Sequence, residues 1–250
     1  MTLSDAELDR YARHIVLREF GGAGQVRLRH AHVAIVGAGG IGAPAIQYLA
    51  AGGIGRLTII DDDAVDLANL QRQILFGTAD IGQSKVAAAA AAVARLNPHV
   101  ELTLHNTRLN TTNAGPLFAG ADVILDGSDS FATRGAVADA ALRLRIPLVS
   151  ASVAQFEGQL ALYRGWEADK PCYRCFVGHP EDRPEESCAE AGVLGPLAGV
   201  MGSLAALEAV RAVTGFGDDS AGKILLVDAL SLRFRTIALP KDPGCPTCAA

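Results

Sequence analysis

Short apolar runs at 32–36, 57–61, 100–105, 121–125 and 146–150 recur along the chain, separated by longer alanine-rich stretches. Runs of this length and character read as strands. The intervening segments 40–51, 84–96 and 131–144 have the length and alanine content of helices, and Asn97-Pro98 stops the second of them. Such alternation predicts an α/β fold built on a mostly parallel sheet with helices on both faces. After residue 150 the rhythm changes. Segments 156–163, 223–227 and 232–239 read as strands without a helix between each pair, which predicts an antiparallel extension of the sheet. Segment 170–190, rich in Cys, Pro, Glu, Asp and Arg and without periodicity, reads as a long surface loop. Segment 191–207 is apolar but broken by glycines and Pro196 and stops at Glu208, short of the roughly 20 residues of a membrane span. It is expected to be a buried loop and helix.

Half of the 250 residues are apolar and a fifth are charged, enough for one α/β domain with a large core or for two small ones. The net charge of -5 leaves no basic surplus for a nucleic-acid duplex, although a small polyanionic ligand stays open. Asp5, Glu7, Asp9, Arg10 and Arg13 interrupt the N-terminal region, which argues against a secretory signal and predicts a cytoplasmic protein with no membrane partner. In that compartment five cysteines stay reduced, so their spacing becomes informative.

The run 33–36 leads into Gly37-Ala38-Gly39-Gly40-Ile41-Gly42 and then a helix, so a G-x-G-x-x-G pattern sits at a strand-to-helix turn. That context predicts a doubly wound, Rossmann-like nucleotide site. Glycines allow a phosphate to approach backbone N–H groups, and the helix N-terminus favours negative charge. The next strand ends in Asp61-Asp62-Asp63, where a carboxylate can accept from a ribose. The loop and the acid do not separate NAD from ATP. Asn69-Leu70-Gln71-Arg72-Gln73 and Gly82-Gln83-Ser84-Lys85 point to ATP, because Arg72 and Lys85 are the fixed cations that displacement at an α-phosphate needs. Each also reads as an ordinary surface ion pair or solvated helix residue. At the end of the run 121–125, Asp126-Gly127-Ser128-Asp129-Ser130 places Asp129 where it can hold Mg²⁺, or where Asp129 or Ser130 simply caps a helix.

Cys172-Tyr-Arg-Cys175 and Cys245-Pro-Thr-Cys248 are two C-x-x-C pairs, the ligand set of a closed, structural Zn²⁺ site. A redox dithiol needs only one pair, and neither is expected to open a helix after a strand. Cys188 stands alone on the expected loop among acidic neighbours, incidental or a thiol that takes an activated acyl group or sulfur.

These motifs, in this order and over essentially the whole chain, resemble the MoeB/ThiF adenylyltransferases, relatives of the ubiquitin-activating enzymes. The resemblance extends from Arg10-Tyr11-Ala12-Arg13-His14 to the Cys245 pair and includes Glu190-Ala191-Gly192-Val193. It implies one domain over 1–250, with a nucleotide-binding half of about 1–150 and a carrier-binding, zinc-holding half of about 151–250. It implies ATP over Gly37, Gly39, Gly40 and Gly42, the ribose on Asp61 with Asp63 beside it, phosphates on Arg72 and Lys85 near Asn69 and Gln71, and Mg²⁺ on Asp129 beside Ser128. Arg13 matches an arginine that reaches the neighbouring subunit's site, implying a homodimer. The implied substrate is a small ubiquitin-like sulfur carrier of the MoaD or ThiS type, ending in Gly-Gly and serving molybdopterin or thiamine synthesis. A separate protein is expected to donate sulfur, since the chain stops after the second cysteine pair. Two positions depart from the family pattern: Ser130 replaces the usual Asn, and Pro44 stands where Cys or Ser is frequent. Two other readings remain, an NAD-dependent oxidoreductase and a non-catalytic binding subunit.

Overall fold

The computed structural model describes residues 3–178 and 192–249. It opens with three helices, α1 (Asp5–Arg10), α2 (Ala12–Ile15) and α3 (Gly21–His30). The apolar rhythm gives no sign of them, because α3 reads GGAGQVRLRH and buries only Gly24, Gln25 and Leu28. The alternating series follows: β1 (His32–Val36), α4 (Gly42–Gly52), β2 (Arg56–Ile60), α5 (Lys85–Leu96), β3 (Glu101–His105), α6 (Ala114–Leu117), β4 (Val123–Asp126), α7 (Phe131–Leu144) and β5 (Leu148–Ala154). The second half contributes β6 (Glu157–Tyr163), α8 (Tyr173–Val177), α9 (Gly195–Thr214), β7 (Lys223–Asp228) and β8 (Arg233–Ala238).

The strands form one eight-stranded sheet in the order β3-β2-β1-β4-β5-β6-β7-β8. Pairings from β3 to β5 are parallel and those from β5 to β8 antiparallel, as the change of rhythm predicts. Central strands lie between two cores. Val33 and Ile35 of β1 pack into the core that holds α4, α5 and α9, whereas Ala34 and Val36 pack into the core under α6 and α7. Side chains of alternate sign of direction thus both reach apolar surroundings, which is why these strands read as continuous apolar runs. Strand order reverses between β1 and β4, and the crevice at that reversal opens at the C-terminal ends of the strands.

The core helix α9 is longer than expected and runs on past Glu208 to Thr214, where Gly215 caps it at φ 75°. Its length and composition suffice to cross a membrane, yet half of its most apolar stretch is buried in the fold. It packs on α4, β5 and β6, as a core helix does. Gly202 makes the α4 contact possible: a Cβ there would lie 2.3 Å from the Ile41 carbonyl oxygen and 2.4 Å from Pro44 Cγ. Asn97, the residue that ends α5, is fully buried and donates to Tyr11 Oη at 2.8 Å and to the Ala50 carbonyl at 2.7 Å. It thereby ties the N-terminal helices to α4. The expected loop 170–190 begins with α8 instead, and the rest of it, Cys188 included, lies outside the described residues.

Candidate functional site

Three turns at the C-terminal ends of β1, β2 and β4 build a cleft of about 190 Å³. The first is the glycine loop. Gly37 adopts φ 86°, and a Cβ on Gly42 would lie only 1.8 Å from the Gly37 carbonyl oxygen, so the loop closes tightly onto the start of α4 only with glycine at both places. Gly37, Gly39 and Gly40 line the cleft, and Gly42 opens α4. The first turn of α4 turns its N-terminal end toward this space, a favourable place for an anion.

The second turn carries the acids. Asp61 accepts the Ala38 N–H at 2.7 Å through Oδ2 and the Asp63 N–H at 2.9 Å through Oδ1, bracing the glycine loop against its own turn. Burial raises the Asp61 carboxyl above the usual carboxylate range, against the opposing charge of Lys85 and these two backbone donors. The three carboxylates of residues 61 to 63 lie close together, but two have cationic partners: Asp62 pairs with Arg108 at 3.2 Å and Asp63 with Lys85 at 2.6 Å. Lys85 is the first residue of α5 and only 5% exposed. Between β2 and α5 a helical turn at residues 69–73 presents Asn69 and Arg72 to the cleft, with the Arg72 guanidinium donating to the Ala68 carbonyl at 3.0 Å.

The third turn follows β4. Asp126 Oδ1 accepts from the Ser128 N–H at 3.0 Å and the Ser128 hydroxyl at 2.6 Å, and Arg134 donates to the Ser128 carbonyl from the other side. Ser130 caps α7 by accepting the Thr133 N–H. The turn is therefore rigid, and it holds Asp129 exposed at the cleft with no hydrogen bond or ion pair to any described residue. Of the two local readings at this turn, the cap belongs to Ser130, which leaves the Asp129 carboxylate available.

Most of the expected residues meet in this cleft, but not all. Gln71 is exposed and faces the start of α9, its carbonyl oxygen 2.3 Å from where a Cβ on Gly195 would lie. Gln73 takes the cleft position in its place. It is 3% exposed, and its Oε1 has no partner. A helical turn separates 71 from 73 by about 200°, so one of the two had to face away. Arg13 is exposed on α2 and does not line this chain's own cleft. Arg108 and Arg134 line it without having been singled out. Neither stands in a glycine-rich or acidic motif, and the only signal for Arg134 is its place in the first turn of the helix behind Asp129.

The four cysteines come together at the far end of the sheet. Cys172 Sγ lies 3.8 Å from Cys175 Sγ and 3.7 Å from Cys245 Sγ, and Cys175 Sγ lies 3.4 Å from Cys248 Sγ. Metal–sulfur bonds of about 2.3 Å in a tetrahedron place sulfurs roughly 3.8 Å apart, so the arrangement fits a Cys₄ zinc site. One expectation is corrected: Cys172 immediately precedes α8, so the first pair does open a short helix after a strand. The approach of all four sulfurs nevertheless separates this group from a two-cysteine redox site.

The ThiF family model matches residues 11–247. The chain is 42% identical to a molybdopterin-synthase adenylyltransferase of Escherichia coli, over 98% of each chain. It is also 42% identical to a sulfur carrier protein adenylyltransferase of Thermus thermophilus, covering 99% of this chain and 93% of that one. Among solved structures, that of Escherichia coli MccB with ATP superposes with a TM-score of 0.83 at 23% identity, covering 98% of this chain and 75% of the other. This last likeness concerns the fold alone.

Proposed function

Because the chain belongs to the ThiF family, we propose that it is an adenylyltransferase that uses ATP to activate the C-terminal glycine carboxylate of a small ubiquitin-like sulfur carrier ending in Gly-Gly. The observation that carries this reading is the convergence of a glycine loop, the Asp61 brace and the cations Arg72 and Lys85 on one cleft. A carboxylate oxygen of the carrier attacks the α-phosphorus, the bond to the bridging oxygen breaks, and pyrophosphate leaves with the electron pair. Negative charge builds on that leaving group, and fixed cations stabilise it as it forms. An NAD-dependent oxidoreductase has no comparable use for Arg72 and Lys85, and the relatives named as adenylyltransferases favour the first reading over it. With Arg72, Lys85 and Asp129 all at the cleft, a non-catalytic subunit is also disfavoured.

Asp129 is the residue that would hold Mg²⁺, which neutralises phosphate charge when bound. Cys172, Cys175, Cys245 and Cys248 would hold a structural Zn²⁺. Residues 1–150 serve as the nucleotide half and 151–250 as the carrier and zinc half of a single domain. Arg13 serves a second copy of the chain. In support, α2 buries no residue and Val16 and Leu17 beyond it are exposed, as expected of a surface that another subunit covers. The protein works in the cytoplasm with a separate sulfur donor, and Cys188 acts after adenylate formation.

The test is carrier-dependent ATP–pyrophosphate exchange with purified protein, Mg²⁺ and candidate Gly-Gly carriers of molybdopterin and thiamine synthesis supplied one at a time. Exchange with one carrier establishes the reaction and identifies the pathway. No exchange with any carrier, by a zinc-loaded dimer, would overturn the reading and redirect attention to dinucleotide binding.

A further inference from the structure

Beside the nucleotide cleft lies a second cavity of about 350 Å³, between the β5–β6 surface of the sheet and helices α7 and α8. Asp129, Arg134 and Val153 line both spaces, so the two join at that point. Arg134 is 9% exposed, makes one hydrogen bond, to the Ser128 carbonyl, and pairs with no carboxylate among the described residues. A guanidinium offers five donors, and a buried charge without a counter-charge is unfavourable. The nearby acids do not supply one. Asp126 spends Oδ1 on Ser128, its Oδ2 is buried without a partner, and Asp129 and Glu157 are exposed on the cavity walls. Among the described residues that line the second cavity, Arg134 is the only cation.

We propose that Arg134 receives the terminal carboxylate of the acyl substrate, which enters through the second cavity and reaches the nucleotide where the two spaces join. The proposal rests on the adenylyltransferase reading and names the residue that recognises its acyl substrate. A carboxylate brought toward a polyphosphate, past Asp129 and Glu157, meets like charge from each of them, and a planar guanidinium fork is the partner that makes its approach favourable. Arg134 holds one carboxylate oxygen while the other attacks phosphorus. Once the acyl–phosphate bond forms, the carboxylate charge that Arg134 held is gone, and the acyl group is free to be passed on.

The experiment uses a Gly-Gly sulfur carrier that supports exchange by the wild-type protein, prepared with a free C-terminal carboxylate and as the C-terminal amide. Binding of both is measured in the presence of a non-cleavable ATP analogue, for wild type, Arg134→Gln and Arg134→Lys. Wild type is expected to prefer the carboxylate about 10- to 100-fold, the range of a charge-assisted hydrogen bond. Arg134→Gln should bind both forms alike, and Arg134→Lys should restore part of the preference. A purely structural role would weaken both forms equally and leave the preference intact, and that result would overturn the proposal. So would a loss of ATP affinity with the preference retained, which would place Arg134 on the phosphates. If no carrier supports exchange by wild type, the adenylyltransferase reading fails and this inference fails with it.

Discussion

Lys85→Met separates a functional cation from a structural one. The Lys85 side chain is 6% exposed while its partner Asp63 is 59% exposed, with 2.6 Å between them. Attraction to so well solvated a carboxylate is worth about 0–1 kcal/mol. Withdrawing the ammonium group from water costs several kcal/mol. Methionine keeps most of the length and packing of the stem and removes that cost, and Asp63 can return to solvent. The expected change in stability is therefore zero or a gain of about 1–2 kcal/mol, a rise in Tm of roughly 2–8 °C for a domain of this size. Activity should move the other way. Loss of one preorganised donor at developing charge costs about 2.7–4 kcal/mol, so exchange should slow by about 10²- to 10³-fold. Thermal melting and carrier-dependent pyrophosphate exchange on the same preparation decide the matter. Exchange within about threefold of wild type would remove Lys85 from the chemistry, and a Tm that fell by more than about 5 °C along with activity would make its role structural.

Other perturbations test the rest of the framework. Gly42→Ala forces the Gly37 carbonyl aside from a position 1.8 Å from the new Cβ, and displacement on that scale should weaken ATP binding by about 100-fold, as read by calorimetry; near-normal affinity would show that the loop is not the cradle. Replacing Cys175 with Ser should deplete bound zinc and lower Tm by about 10 °C, measured by metal analysis and melting, and a zinc-free wild type with an unchanged Tm would argue against a structural metal. Glu7 is held down to about 2 by the Ser4 N–H, the Ser4 hydroxyl and Arg29. A carboxyl depressed on folding stabilises the native state above pH 4.5 and loses that contribution as pH falls toward about 2, so denaturant melts across this window should show a slope that Glu7→Gln flattens; an unchanged slope would refute the assignment.

The parallel half was legible because burial of β1, β2 and β4 on both faces leaves predominantly apolar runs, and because glycine at 37 and 42 answers to backbone geometry rather than to side-chain context. The N-terminal helices were not. They are stabilised by polar contacts over long distances in sequence, such as Tyr11 with Asn97 and Glu7 with Arg29, and periodicity does not register those. Inside the motif 69–73 the sequence pointed to Gln71, but residue type does not distinguish it from Gln73, and only the helical turn decides which of them faces the cleft. Arg134 escaped notice for a different reason: an arginine in the first turn of a helix looks like any solvated cation until burial is known.

A metal ion held by the four sulfurs would alter how the antiparallel half can come apart. β8 is the outermost strand and exposed along its whole length, which is where local opening of a sheet begins most easily. Cys172 and Cys245 are 73 positions apart in sequence, and an ion shared between them turns everything in between into a lariat with its knot at α8. Tying a loop of that size removes about 4 kcal/mol of freedom from the opened chain. With an ion bound, the strand could not peel away from its tip; it could only bow outward with both ends fixed, and amide hydrogen exchange along β8 would become a readout of metal occupancy.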